Sequence, residues 1–132
     1  MDREILFRAK FGNDWKYGYL SVEPKGLVIK EPYELNQSHI WHINPKTVGQ
    51  YTGLTDKNGT KIFEGDIVRT KKYGKIVRHC NVNGYDTFKV VYAPAIFRIE
   101  NKYRGFNLLG YGTDYEVIGN IHDNSDLLEV SE

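Results

Sequence analysis

The side chains with chemical potential in this 132-residue sequence are four histidines, one cysteine, scattered carboxylates and a run of cations interleaved with tyrosines. His39 and His42 stand three apart in a strand-like segment, which places them on opposite faces, where they cannot chelate one ion. His79 and Cys80 are neighbours whose side chains point apart in a strand. With no helix N-terminus to lower the thiol pKa, Cys80 reads as a small core residue. One cysteine also excludes an intramolecular disulfide and a cysteine-based zinc cluster. Asp56, Asn58 and Thr60 resemble the start of a calcium loop, but the glycine falls one position after Asn58. Ile67 stands where a closing bidentate Glu is required, so a type I′ turn over Asn58-Gly59 is the better reading. Gly105, Gly110 and Gly112 make no dinucleotide fingerprint, and Ser21, Ser38, Ser125 and Ser131 lack a nucleophile-elbow context. No acid, base and nucleophile converge, so the chain is read as non-enzymatic, with no catalytic residue, metal, cofactor or small-molecule substrate.

The charges are more informative. Lys plus Arg is 18 and Asp plus Glu is 17, a balance that gives no strong general attraction to nucleic acid or an anionic membrane. The distribution is uneven. Arg69, Lys71, Lys72, Lys75, Arg78, Lys89, Arg98, Lys102 and Arg104 face only Asp86 and Glu100 over 69–104, whereas from Gly105 onward the charges are all acidic. Arg69, Lys71, Lys72, Lys75 and Arg78, with Tyr73 and Tyr85 as stacking rings, therefore form the candidate contact set. Two partners suit it: the phosphates and bases of a nucleic acid, or an acidic segment of the same protein or of a second subunit. The second is favoured, because the acidic tail carries no cation of its own.

The elements that must carry these residues are mostly strands. Aromatic residues make up 14% of the chain, and apolar positions alternate with polar ones or sit in short runs. The spacing predicts strands over 5–9, 17–22, 26–30, 40–43, 66–69, 75–78, 87–92 and 115–119. Turn signals lie at Phe11-Gly12-Asn13-Asp14, Glu23-Pro24-Lys25-Gly26 and Asn83-Gly84. Helix is limited to a weak candidate over 93–97 and a short turn within 123–130, capped by Asn124 or Ser125 and containing Leu127 and Leu128. The expected core includes Phe7, Trp41, Tyr51, Leu54, Ile62, Phe63, Ile67, Val68, Val77, Val90 and Val117.

The segment Gln50 to Val68, with Tyr51-Thr52-Gly53-Leu54-Thr55-Asp56-Lys57-Asn58-Gly59 and Ile62-Phe63-Glu64-Gly65-Asp66-Ile67-Val68, resembles the hallmark of the YopX family, small proteins of bacterial phages and prophages. Arg3 to Ala9 is similar to that family's opening strand. Tyr115 to Ile121, with Asp123-Asn124 and Leu127-Leu128, is similar to its closing element. The resemblance spans essentially the whole chain and is loosest over 14–43 and 71–112. It implies a mainly β fold and a phage or prophage setting, and it transfers no activity, cofactor or catalytic residue. Physically, Gly53, Gly59 and Gly65 supply backbone freedom for turns, while the apolar residues between them supply core.

These observations lead to one YopX-like domain over 1–132, subdivided into an N-terminal β region (1–55) and a C-terminal small SH3-like barrel or strongly bent antiparallel sheet (56–132). The expected role is a phage or prophage accessory protein that acts by binding or assembly, with a nucleic-acid-binding module using the 69–104 surface as the alternative. Strand edges in so small a β protein need covering, so a homo-oligomer is expected. The chain shows neither a signal peptide nor about 18 consecutive apolar residues, and a cytoplasmic setting is expected.

Overall fold

A computed structural model describes residues 6–32, 38–71, 85–93, 96–102, 105–108 and 114–128. Clustering of the backbone divides the chain into two units, Met1–Gly53 and Leu54–Glu132. Strand accounts for 70% of the described residues, with almost no helix among them. Among the described residues eleven strands follow in order: β1 Phe7–Phe11, β2 Asp14–Glu23, β3 Gly26–Pro32, β4 Ser38–His42, β5 Asn44–Thr55, β6 Lys61–Phe63, β7 Asp66–Thr70, β8 Asp86–Ala93, β9 Ile96–Glu100, β10 Gly105–Asn107 and β11 Glu116–Asn120. One 3-10 turn, Ser125–Leu128, closes the series within the predicted 123–130 segment.

They form two antiparallel sheets, of order β4-β3-β2-β1-β5-β6 and β10-β9-β8-β7-β11, and the boundary between the units falls inside β5. The mainly β architecture agrees with the sequence, but the SH3-like barrel does not. The second sheet is not closed, because β10 and β11 stand at its two ends instead of pairing.

In the first unit, two tight hairpins set the register. Phe11 pairs with Asp14 and Glu23 with Gly26, leaving the two-residue loops Gly12-Asn13 and Pro24-Lys25. Gly12, at φ 63°, takes the left-handed conformation that a twist-matched two-residue loop requires. Alternation then puts Ala9, Leu20, Ile29 and Trp41 on one face, where Ala9, Ile29 and Ile43 are buried with Phe7, Leu20, Leu27, Trp41 and Val48 packed against them. The Trp41 indole N–H donates to Glu31 Oε1 at 2.8 Å, its ring lies 5.0 Å from Phe11, and Lys16 Nζ sits 3.8 Å from its centre. Thus Trp41 reaches the core by its body while its polar edge is satisfied.

The second unit is built on Ile62, Val68, Phe88, Val90, Ile99, Leu108 and Tyr115, with Leu54, Phe97, Phe106 and Val117 partly buried against them. Cross-strand register explains the cluster, since Val117 pairs with Val68 and Val68 with Phe88, while Val90 pairs with Ile99 and Ile99 with Phe106. Tyr51, Ile62, Phe63, Ile67, Val68 and Val90 are buried as expected; Phe7, Trp41, Leu54 and Val117 are only partly so. Val77 lies outside the described residues, as do the predicted 75–78 strand, the Asn83-Gly84 turn, His79 and Cys80.

Two local expectations are corrected. The weak helical candidate at 93–97 is instead the end of one strand and the start of the next, with Ala93 paired to Ile96 and Tyr92 to Phe97. Five residues cannot nucleate a helix against two strands that already bury Val90 and Ile99. At the hallmark turn, Asp56 N–H donates to the Thr60 carbonyl at 2.8 Å and Gly59 N–H to the Asp56 carbonyl at 3.0 Å. The loop therefore has three residues, turning over Lys57-Asn58 with Gly59 following at φ 84°, and is not a two-residue type I′ turn. The Asp56 carboxylate decides this, because Oδ1 accepts the N–H groups of Asn58 and Thr60 at 2.8 and 2.9 Å.

Candidate functional site: a cation and tyrosine recess in the second unit

The face of the second sheet opposite Val68 and Phe88 carries the charges. Glu116 pairs with Arg69, and Arg69 with Thr87, so one row runs across β11, β7 and β8. Tyr85 is two positions before Thr87 and Lys71 two after Arg69, so both fall on the same face. Arg69, Lys71, Tyr85 and Glu116 line a recess of about 350 Å³ with Lys57, Thr70, Asp114 and Tyr115.

Its geometry is that of a charge-compensated cluster. Arg69 Nε donates to Glu116 Oε1 at 2.8 Å, and Lys57 Nζ lies 3.8 Å from the same oxygen. The Arg69 guanidinium stands 4.2 Å from the centre of the Tyr85 ring and Lys71 Nζ 4.8 Å, so both cations lie against one aromatic ring. The Arg69 hydrogen bond holds the Glu116 carboxyl below its ordinary value; partial desolvation opposes this, and the charges of Arg69 and Lys57 add to it. Thr70 Oγ1 donates to the Asp114 carbonyl at 2.7 Å, tying the recess wall to the approach to β11.

Two buried aspartates hold the turns on either side of β6. Asp56 Oδ2 accepts the Val117 N–H at 2.9 Å, in addition to the two N–H groups on Oδ1. Lys57 N–H donates to the Tyr115 carbonyl at 3.1 Å, so the hallmark turn is strapped to β11. Asp66 Oδ2 accepts the Phe63 N–H at 2.7 Å and closes the turn between β6 and β7. In that turn Gly65, at φ 93°, sends its N–H to the Val90 carbonyl and receives the Ile121 N–H on its own. The hallmark is therefore a brace. The carboxylates of Asp56 and Asp66 accept backbone N–H groups.

Of the residues singled out from the sequence, Arg69, Lys71 and Tyr85 come together here, whereas Lys72, Tyr73, Lys75 and Arg78 lie outside the described residues. Arg98 belongs elsewhere, donating to Asn107 Oδ1 at 2.8 Å and lying 3.4 Å from Glu100 Oε2. Sequence reasoning missed Lys57 and Glu116 as members. Glu116 had been counted only as part of an acidic tail, and its place opposite Arg69 depends on the β7–β11 register, 47 residues apart in sequence. His39 and His42 stand on opposite faces of β4, His39 opposite Glu31 and His42 opposite Val28. Among the described residues no group of three or more His, Cys, Asp or Glu is placed to hold a metal ion. Nor is any helix among them long and apolar enough to cross a membrane.

Comparison with known proteins bears on the whole chain. A crystal structure of the yopX protein of Bacillus subtilis aligns over 93% of this chain and 97% of its own, at a TM-score of 0.58 and 18% identity. A crystal structure of an Enterococcus faecalis protein aligns over 96% and 99%, at a TM-score of 0.48 and 23% identity. No curated protein matches in sequence. The first of these likenesses speaks to the fold alone. The family model described as YopX protein matches residues 7–129, nearly the whole length, and the chain belongs to the YopX family.

Proposed function

We propose that this protein is a non-enzymatic binding and assembly module of a phage or prophage, working as a homo-oligomer. The observation that carries this is the geometry of the recess, where the Arg69 guanidinium lies 4.2 Å from the centre of the Tyr85 ring and its Nε donates to Glu116 Oε1 at 2.8 Å. Glu116 then serves as a permanent counter-ion, and the recess is a preset pattern of cation, ring and anion suited to recognition. Self-association is supported by the edge strands, since β4 ends the first sheet with Ile40 exposed and β10 ends the second.

The second reading, a nucleic-acid-binding module on the 69–104 surface, draws on Lys71 beside Tyr85. It is weakened by Arg69, whose guanidinium is already committed to Glu116 at 2.8 Å. Sedimentation over a wide concentration range tests the proposal. A mass that is a multiple of 15.3 kDa supports assembly, and a monomer throughout overturns it. Oligonucleotide binding that is lost in Arg69→Ala/Lys71→Ala would instead favour the second reading.

A further inference from the structure

The backbone of β4 is set by one hydrogen bond just beyond its end. Ile43 N–H donates to the Leu27 carbonyl at 3.2 Å, and these two residues follow Val28 and His42 in the β3–β4 register. In an antiparallel ladder, pairs that exchange hydrogen bonds alternate with pairs that do not, so Ile29–Trp41 and Glu31–His39 are bonded, whereas Val28–His42, Lys30–Ile40 and Pro32–Ser38 are not. Ser38, Ile40 and His42 therefore turn their N–H and C=O groups away from β3, to the side on which β4 ends the sheet. Among the described residues no partner bonds to them there. The side chains leave the edge equally open. Ser38-His39-Ile40-Trp41-His42 contains no Lys, Arg, Asp, Glu or Pro, the residues that blunt an edge strand. The other sheet ends differ, since β6 and β10 have three residues each and β11 carries Glu116. Ile40 is 52% exposed and lines, with Pro24, Val28 and His42, a recess of about 300 Å³.

We infer that β4 pairs with the β4 of a second copy, antiparallel about a two-fold axis with the two Ile40 residues opposite each other. The inference rests on the assembly reading and names the surface that carries it. In this register Ile40 meets Ile40 and Ser38 meets His42, each as a hydrogen-bonded pair, so the outward N–H and C=O groups of all three residues gain partners. Ser38, Ile40 and His42 share one face, so the two Ile40 side chains lie side by side and withdraw each other from water. Charge selects a second copy as the occupant, because an uncharged strand meets no like charge across a two-fold axis. The cation nearest the axis in register is Lys30, opposite Ile40 on β3. Two copies of Lys30 stand three strand spacings apart, about 14 Å, beyond the screening length of about 8 Å at physiological ionic strength. The contact uses the same strand from each copy and closes at two.

Sedimentation of the full chain, with its variants, tests the inference. The parent should associate to an even multiple of 15.3 kDa. Ile40→Lys, which brings two like charges together at the axis, should weaken association by tenfold or more, whereas Ile40→Val should stay within about threefold of the parent. Unaltered circular dichroism of each variant separates a lost contact from a lost fold. A second measurement leaves the edge uncharged. Opposed Cα atoms in a hydrogen-bonded pair lie about 5.5 Å apart, within disulfide reach, so Ile40→Cys/Cys80→Ser should form a disulfide-linked dimer on mild oxidation. Tyr92→Cys/Cys80→Ser, with its thiol at an exposed site of the second unit, should not. In the parent, amide exchange at Ser38, Ile40 and His42 should slow as concentration rises. Association that survives Ile40→Lys, with no disulfide from Ile40→Cys/Cys80→Ser, would overturn this interface and leave the assembly reading standing. A parent that is monomeric throughout would overturn both. Slow exchange at Ile40 in a monomeric parent would show the edge covered by something other than a second copy, again overturning the inference.

Discussion

Both units place cations against aromatic rings on an exposed sheet face, but they finish the arrangement differently. On the second sheet the row Glu116–Arg69–Thr87 brings a carboxylate to the guanidinium that stacks on Tyr85, so the strongest cation of the face is neutralised within the fold. On the first sheet the rows run Lys10–Trp15, Arg8–Tyr17 and Lys30–Tyr19, and Glu23 lies 3.1 Å from Lys30 Nζ. Similar residue types therefore stand in rows of different make-up, a cation opposite a carboxylate in one and a cation opposite a ring in the other. What separates them is the residue on the adjacent strand, which a register shift of one would exchange for its neighbour on the opposite face.

The largest test of this contrast is beneath the second face. Phe88→Ala removes a fully buried ring directly behind the Arg69 row and should cost about 3–5 kcal/mol in denaturant unfolding. The Arg69–Glu116 pair should loosen with it, visible as a rise in the Glu116 carboxyl pKa by NMR. Asp56→Ala strips the acceptor from three backbone N–H groups and should cost about 2–4 kcal/mol, with hydrogen exchange accelerated first at Asn58, Thr60 and Val117. An exchange pattern unchanged at Val117 would show that the hallmark turn is not strapped to β11.

The next test lies in the first unit. A methyl group on Gly18 would overlap the Lys30 carbonyl, its carbon 2.9 Å away, and backbone cannot swing aside as a side chain can. Gly18→Ala should therefore cost about 1–3 kcal/mol and disturb Lys30 opposite Tyr19. At Gly119 the obstacles are side-chain atoms of Asn124 and Leu127, so Gly119→Ala should cost less. Leu54→Ala, at a partly buried position, should fall near 1–2 kcal/mol, below the range for full burial.

The smallest effect is electrostatic. The folded carboxyl of Glu116 titrates below its ordinary value of 4.5, so its contribution is present above that pH and is lost as the pH falls through the lower folded value. Glu116→Gln should remove this part of the acid sensitivity. Glu23, lowered first by the Ser21 hydroxyl and then by Lys30, should behave in the same direction, with Ser21→Ala shifting its titration upward.

Much of this was legible in the sequence. Short alternating runs and glycine turns reveal strands because side-chain direction and turn conformation are local properties, and β1 to β4, β7, β8 and β11 were readable on that basis. The long β5 and the short β6, β9 and β10 were not. Gln50 to Thr55 reads as core and turn rather than alternation, the three residues of β6 and of β10 carry too little period to register, and β9 begins inside the segment that offers a weak helical candidate. The hallmark glycines behaved as their spacing suggests, since Gly53, Gly59 and Gly65 all adopt positive φ.

The sequence by itself determined that the chain is β-rich, belongs with YopX-like proteins, and carries a cationic, tyrosine-bearing stretch beginning at Arg69. Only the tertiary structure decided which acid meets Arg69, that Asp56 and Asp66 brace backbone, and that Trp15, Tyr17 and Tyr19 each face a cation. The physical reason is that ionic and stacking contacts act over a few ångströms and so depend on register. Arg69 and Glu116 become neighbours through the pairing of β7 with β11, and no local pattern records a pairing made across 47 residues.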